Sequence, residues 1–485
     1  MKFFRQIISV DIILIITTLS CTTMAFTPPS SSRYNTQIFA GTPSELPTFS
    51  SEKEYIEYMS SSDISQLPKG FAIGTSEGKF VSVEAPSMGE LPIKCTVISL
   101  TEGPTDNWAA VFTTNKFPGA PVKIGRSRLK EDRPLEALVI NNKVSNVCSG
   151  GDGVADSELV CDAVTKALKG GGAVLPCSTG VIGWRLPAEV LAEKLVPEAV
   201  ANMQSESVLD AASAIMTTDR YPKIRSSTIS DGRIVAIGKG AGMIEPNMAT
   251  MLVYILTDLA VPKDKLRDML SDVVDQSFNC ISVDGDESTS DTAVLVSSNQ
   301  VPFEESMEKE FKTTLQRLCT ELAADIVRNG EGTAHVMRVQ IRNFPGSESE
   351  GRSLGRRVVN SPLFKCAVNG NDPNTGRLAG AVGSFLGRFS SEIDETKISM
   401  TLGNRRIFNK GQFVLKDDDG NDIEKELSQH MKDAEYEDTS NYPPHQKFVE
   451  IGIDFDEDSK TTTTTTVLGS DLSKEYVTVN ADYRS

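Results

Sequence analysis

The segment KGAGMIEPNMAT (239–250) ends in Ala249 and Thr250, and six apolar residues, MLVYIL (251–256), follow at once. A threonine at the head of such a run has two readings. Its hydroxyl can cap the end of a buried strand, or the chain can be cut between Ala249 and Thr250, leaving an amino-terminal nucleophile. An amino-terminal threonine carries its own base, because a free α-amine with a pKa of about 8 sits beside the hydroxyl. The small Ala249 and the upstream glycines permit a bent peptide that the hydroxyl can attack. Such chemistry needs no histidine. The chain has only three, His335, His430 and His445, none in a zinc or serine-hydrolase motif. On composition alone the strand cap is the commoner outcome.

A second polar turn, CSTGVIG (177–183), follows the apolar AVLP. The Thr179 hydroxyl and the Gly180 N–H are donors of the type that stabilises an oxyanion, although many strand ends look alike. Two other candidates lose to plainer readings. IGKGAGM lacks the P-loop pattern and the GxGxxG spacing, and it leads into a strand instead of a helix, so a tight turn approaching a small ligand fits better than a nucleotide site. SVDGDESTSD (282–291) begins like a calcium loop, but its glycine is at the second position and Leu295 stands where a bidentate glutamate is needed, which leaves a polar turn.

Taken together, these stretches resemble the ornithine acetyltransferase family, the bifunctional glutamate N-acetyltransferases of arginine biosynthesis. The resemblance is carried by LPKGFAIG, FTTNKFPGAPV, CSTGVIG, AIMTTDRYPK, KGAGMIEPNMATML, SVDGDESTSDT, RNGEGTAHVMRV, SPLFKCAVNGNDPNTGR and YVTVNADYRS, from about residue 67 to the last residue. It implies a mixed α/β fold of the N-terminal-nucleophile type, with layered sheets flanked by helices and a smaller C-terminal α/β domain over about 355–485. It also implies self-cleavage at Ala249–Thr250 into an α chain (47–249) and a β chain (250–485), assembled as α2β2. By the same resemblance Thr250 is expected to take the acetyl group from N2-acetyl-L-ornithine and pass it to L-glutamate, and use of acetyl-CoA as a further donor is left open. The family's oxyanion donors fall on Thr179 and Gly180, and its substrate contacts on Thr217, Lys239, Thr250, Glu331, Asn480 and Ser485. No cofactor and no metal are implied. The chain departs from the family pattern at NNKVSNVCSG (141–150), Trp184 and Glu245, and in a longer acidic stretch near 416–440, none of them a carried-over position. A hydrolase of the same fold with water as acceptor, and an uncut, idle relative acting as a binding protein, are the alternatives. Lys239, Glu331 and Asn480 favour acetyl-amino-acid transfer over the first, and the intact Ala249–Thr250 pair disfavours the second.

The elements that must position these residues follow from the rest of the chain. Its 485 residues, 39% apolar and 24% charged, are ordinary globular composition and allow two or three domains. A net charge of −17 argues against a nucleic-acid partner. The eight cysteines have no CxxC spacing and read as free thiols in a reducing compartment. Residues 1–46 read as a targeting presequence, signal-like over 1–25 and transit-like over 26–46, which favours a plastid, with the mitochondrial matrix as the alternative and no membrane for the mature chain. Apolar spacing predicts helices through 159–168, from Pro187, over 266–274 and over 311–326, the last capped by Asn329 and Gly330. Strands are predicted at RIVAIG, MLVYIL and TAVLVSS and within the threonine run 461–466. The acidic stretch 416–440 reads as a solvated loop or insertion.

Overall fold

The apolar run after residue 250 forms the strand Leu252–Leu259, buried along its whole length. Its side chains alternate between two cores, Val253 and Ile255 into one and Leu252, Tyr254 and Leu256 into the other. A strand covered on both faces has no polar side to show, so its sequence is continuous instead of alternating. It lies inside a five-stranded sheet, parallel to Thr292–Val301 and antiparallel to Gly232–Lys239; Trp108–Phe112 and Lys223–Ile229 form the edges.

On the first face lie the helices Lys263–Gln276 and Glu308–Arg328, with the apolar stripes expected from the spacing: Leu266, Met269, Leu270, Val273 and Val274 on one, Phe311, Leu315, Leu318, Leu322 and Ile326 on the other. Emptying one such position, as in Phe311→Ala, costs about 3–5 kcal/mol. On the second face lies a four-stranded sheet, Phe71–Val81, Glu90–Leu100, Leu135–Asn141 and Ala173–Ser178, meeting the first through Phe71, Ile73, Ile98, Leu138 and Leu175. The outer face of this sheet is closed by the helix Gly153–Leu168, whose Val160, Cys161 and Val164 pack on Val97, Val139 and Val174. The layers therefore run helix, sheet, sheet, helix, the mixed α/β architecture expected from the sequence.

A seven-stranded sheet from the C-terminal part encloses its own core with the helices Glu348–Val359 and Thr375–Phe389. Its edge strand Ile281–Ser282 continues through the loop 283–291 into Thr292–Val301 of the central sheet, so one stretch of chain serves both. The computed structural model describes residues 47–61, 63–246, 251–389, 393, 395–436, 442–443, 447–456 and 464–481. The expected presequence 1–46, the Ala249–Thr250 junction and Ser485 lie outside them. Among the described residues no helix is long and apolar enough to cross a membrane.

Three local expectations change. The helix Gly153–Leu168 begins six residues before the apolar spacing that predicted it and is closed by Lys169 in the left-handed conformation (φ +57°), just ahead of Gly170–Gly172. The helix begun after Pro187 widens into a π turn over Leu191–Leu195, next to Pro197, which has no N–H for the regular helical ladder. The acidic stretch is not all solvated loop: Glu424–Asp433 is a helix, because Leu427 and Met431, four residues apart, bury one face. The described part of the threonine run, Thr464–Thr466, does open a strand, Thr464–Ser470, paired antiparallel with Val336–Arg342.

Candidate active site

Strand ends of both packed sheets line one cavity of about 280 Å³. Ala173–Ser178 delivers Thr179 and Gly180, Gly232–Lys239 delivers Lys239, and Met251 and Leu252 come from the start of the central strand. Thr217, Glu331 and Asn480 complete the wall. Six carried-over positions (Thr179, Gly180, Thr217, Lys239, Glu331, Asn480), spread over some 300 residues of sequence, thus meet at one place.

The Thr179–Gly180 turn is held from below by the loop after Asn141. The Thr179 N–H donates to the Asn141 carbonyl (3.1 Å), and the Asn141 side chain accepts from the Ser178 hydroxyl (2.6 Å). The Val181 N–H donates to the Lys143 carbonyl (2.9 Å), and the Ser145 hydroxyl donates to the Val181 carbonyl (2.7 Å). Gly180 has φ +121°, and a Cβ there would lie 2.1 Å from the Lys143 carbonyl carbon, so only glycine fits. Among the described residues, the Gly180 N–H and the Thr179 hydroxyl have no hydrogen-bond partner. Two free donors beside a cavity are what an oxyanion needs. Cys177, two residues upstream, is no rival nucleophile, because burial pushes its thiol up to about 12 and keeps it protonated at neutral pH.

Another part of the wall is charged. Glu331 is 7% exposed, and its carboxylate accepts from the Thr218 hydroxyl (2.7 Å) and the Asn480 side-chain amide (2.8 Å). A Cβ on Gly242 would lie 2.3 Å from that carboxylate, so the glycine turn exists partly to admit Glu331. Asp219 lies beneath, bonded to Lys223 (2.5 Å), the Gly240 N–H (2.8 Å) and the Thr217 N–H (3.0 Å). Burial pushes the Asp219 carboxyl up, but Lys223, Lys239 and the Gly240 N–H outweigh it, and its pKa ends below the ordinary value. Lys239 is half-buried and makes no hydrogen bond or ion pair with its side chain among the described residues. Burial lowers its pKa, while Asp219 and Asp291 pull it back up. A lysine in a mostly acidic wall, with no direct partner for its side chain among the described residues, is available to a carboxylate ligand.

Asn480 belongs to the short helix Lys474–Ala481, so the C-terminal region does reach the cavity, as expected from the sequence. Sequence reasoning gave no role to Thr218, Asp219, Asp284 or Asp291. Thr218 and Asp219 stand beside Thr217 in MTTD, and a charged residue four positions before the strand Lys223–Ile229, whose first three residues are buried, was the available signal. The loop NNKVSN, set aside as a departure, is the support of the Thr179–Gly180 turn. His335 is fully buried between Asp471 (2.9 Å) and Asn371 (3.1 Å) and does not line the cavity.

Residues 93–485 match the family model described as the ArgJ family. The chain is 34% identical over 383 residues to arginine biosynthesis bifunctional protein ArgJ 2 of Clostridium acetobutylicum, covering 77% of this chain and 89% of that protein. It is 33% identical over 437 residues to arginine biosynthesis bifunctional protein ArgJ of Nitratidesulfovibrio vulgaris, covering 87% of this chain and all of the relative. Among solved structures, ornithine acetyltransferase from Mycobacterium tuberculosis complexed with ornithine is similar at 30% identity and a TM-score of 0.31, over 39% of this chain and 98% of that one.

Proposed function

This chain belongs to the ArgJ family, and from that premise we propose that it is a self-cleaving acetyltransferase that moves the acetyl group of N2-acetyl-L-ornithine to L-glutamate through Thr250. The observation that carries the reading is that Met251, the residue bonded to Thr250, lines the same cavity as Thr179, Gly180, Lys239 and Glu331. Thr250 is joined to that wall by a single peptide bond, and consecutive α-carbons lie about 3.8 Å apart.

In the first step the Thr250 oxygen bonds to the Ala249 carbonyl carbon, and the C–N bond breaks as the hydroxyl proton passes to nitrogen. Water then cleaves the ester, leaving the Ala249 carboxylate and a free α-amine on Thr250. That amine takes the hydroxyl proton when Thr250 attacks the acetyl carbonyl of acetylornithine. The Gly180 N–H and the Thr179 hydroxyl receive the developing oxyanion. The proton goes on to the leaving α-nitrogen and ornithine departs, leaving acetyl-Thr250. Glutamate attacks that ester, giving N-acetylglutamate and restoring the hydroxyl. Lys239 pairs with the α-carboxylate that both amino acids carry, and Glu331 with the ornithine side-chain cation. Thr217, Asn480 and Ser485 complete the substrate contacts.

Acetyl-CoA as a second donor, an α2β2 assembly and delivery of the chain to a plastid extend this reading. Purified protein is expected as two fragments, the downstream one starting at Thr250, with acetyl transfer from acetylornithine to glutamate following ping-pong kinetics. Thr250→Ala is expected as one uncut, inactive chain. Wild type that stays uncut yet transfers acetyl groups rules out the mechanism, and no activity with acetylornithine rules out the substrate. An acetyl-CoA arm of the assay, sedimentation of the purified protein and a fluorescent fusion of about the first 60 residues test the three extensions.

A further inference from the structure

The turn 240–246, which leads to the junction at Ala249–Thr250, is tied down almost residue by residue. The Gly240 N–H donates to Asp219 (2.8 Å), and the Ala241 carbonyl accepts from the Glu331 N–H (2.8 Å). The Met243 and Ile244 N–H groups donate to the two oxygens of Asp284 (2.7 and 2.8 Å). The Ile244 carbonyl accepts from the Val283 N–H (2.7 Å), and the Glu245 N–H donates to the Asp286 carbonyl (3.1 Å). The Glu245 carboxylate accepts from Ser282 (3.0 Å) and Asn360, and the Pro246 carbonyl accepts from Arg356. Beyond the junction, the Met251 carbonyl accepts from the Thr292 N–H (3.0 Å).

One of these ties differs from the rest. Met243 has φ +55°, a conformation that a non-glycine residue keeps only when its surroundings impose it. The two oxygens of Asp284 impose it, by taking the N–H groups on both sides of the Met243 α-carbon. The chain is thereby turned at Met243 and aimed before it reaches Pro246. A hydroxyl that must attack the adjacent peptide carbonyl depends on such aim, since a small misplacement of reacting atoms costs orders of magnitude in rate.

We propose that Asp284 is a positioning residue for self-cleavage, fixing with Arg356 the direction in which the chain enters the Ala249–Thr250 junction. This rests on the cleavage reading above. Asp284 also accepts from the Tyr476 hydroxyl (3.2 Å) of the helix Lys474–Ala481, so action through that helix must be told apart.

The test is a time course of precursor conversion on a gel, at temperatures where wild type and variants are fully folded by circular dichroism. Asp284→Asn keeps the shape but turns an N–H₂ group toward a backbone N–H. It is expected to slow cleavage at least about tenfold, Arg356→Met by less, and Tyr476→Phe not at all. If Asp284→Asn does not fold, Asp284→Glu replaces it, keeping the charge while moving the acceptors by one methylene, with the same expectation. Cleavage of the folded Asp284 variant at the wild-type rate overturns the proposal while leaving the cleavage reading intact. Equal slowing by Tyr476→Phe overturns it in favour of the C-terminal helix. Wild type that remains uncut overturns both.

Discussion

The turn at Thr179–Gly180 and the turn at 240–246 face one cavity but are built from opposite chemistry. The first is held by neutral bonds, chiefly to the carbonyls and amide of the loop after Asn141, and by a glycine for which no other residue can stand in. The second is held chiefly through carboxylates: Asp219 takes the Gly240 N–H and Asp284 the Met243 and Ile244 N–H groups, while the Glu331 N–H donates to the Ala241 carbonyl and its carboxylate sits against Gly242. A turn that must present free donors to a developing negative charge cannot keep carboxylates beside it, because their field would cancel the benefit. On the proposed function, a turn that receives the ornithine side-chain cation gains from them. On that reading the difference in charge between the two turns follows a division of labour.

The sharpest way to break this contrast is Gly180→Ala. The added methyl meets the Lys143 backbone in a strained conformation, and displacing the donor is expected to lower kcat about 10²–10³-fold, measured by steady-state acetyl transfer per cut active site. A mutant retaining full kcat removes the oxyanion role. On the charged side, Lys239→Met is expected to raise KM for both acetylornithine and glutamate about 10- to 100-fold, with a smaller change in kcat, through loss of one charge-assisted pair. If only one of the two substrates is affected, Lys239 does not read the shared carboxylate.

Gly242→Ala pushes on the Glu331 carboxylate, 2.3 Å from the new methyl. It is expected to lower kcat/KM about tenfold for acetylornithine and less for glutamate, which carries no side-chain cation, as separate half-reaction rates would report. The smallest effect concerns Lys365, buried behind the charged turn with its ammonium donating to the Val283 carbonyl (2.5 Å). Burial lowers its pKa to about 8 against the partial help of Asp471, Asp284 and Glu245. With the folded pKa below the unfolded one, the unfolded chain binds more protons between about pH 8 and 10.5, so the contribution of Lys365 to stability rises with pH across that window. Lys365→Met is expected to lose that rise, seen as a flatter unfolding midpoint against pH.

Much of the fold was legible in the sequence where burial leaves a period. Leu266 to Val274 and Phe311 to Ile326 gave their helices, because a helix packed on a sheet must repeat its apolar residues every three or four positions. Where one short face decides, the signal was weaker: Leu427 and Met431 are two residues among many charges, and their helix was missed. MLVYIL read correctly as a buried strand, but a run buried on both faces carries no mark of which side chain enters which core.

What the sequence by itself determined is the set of chemical groups: an Ala–Thr pair behind a glycine turn, a second polar turn, a histidine-poor chain, and the motifs that resemble one family. These are properties of residue type and order, which spacing records. Only the tertiary structure decided that Thr179, Lys239, Glu331 and Asn480 share a cavity, that the loop after Asn141 supports the donor turn, and that Asp219 and Asp284 govern the charged one. These contacts join residues dozens to hundreds of positions apart through sheet register and layer packing, and one chain read in order carries no record of them.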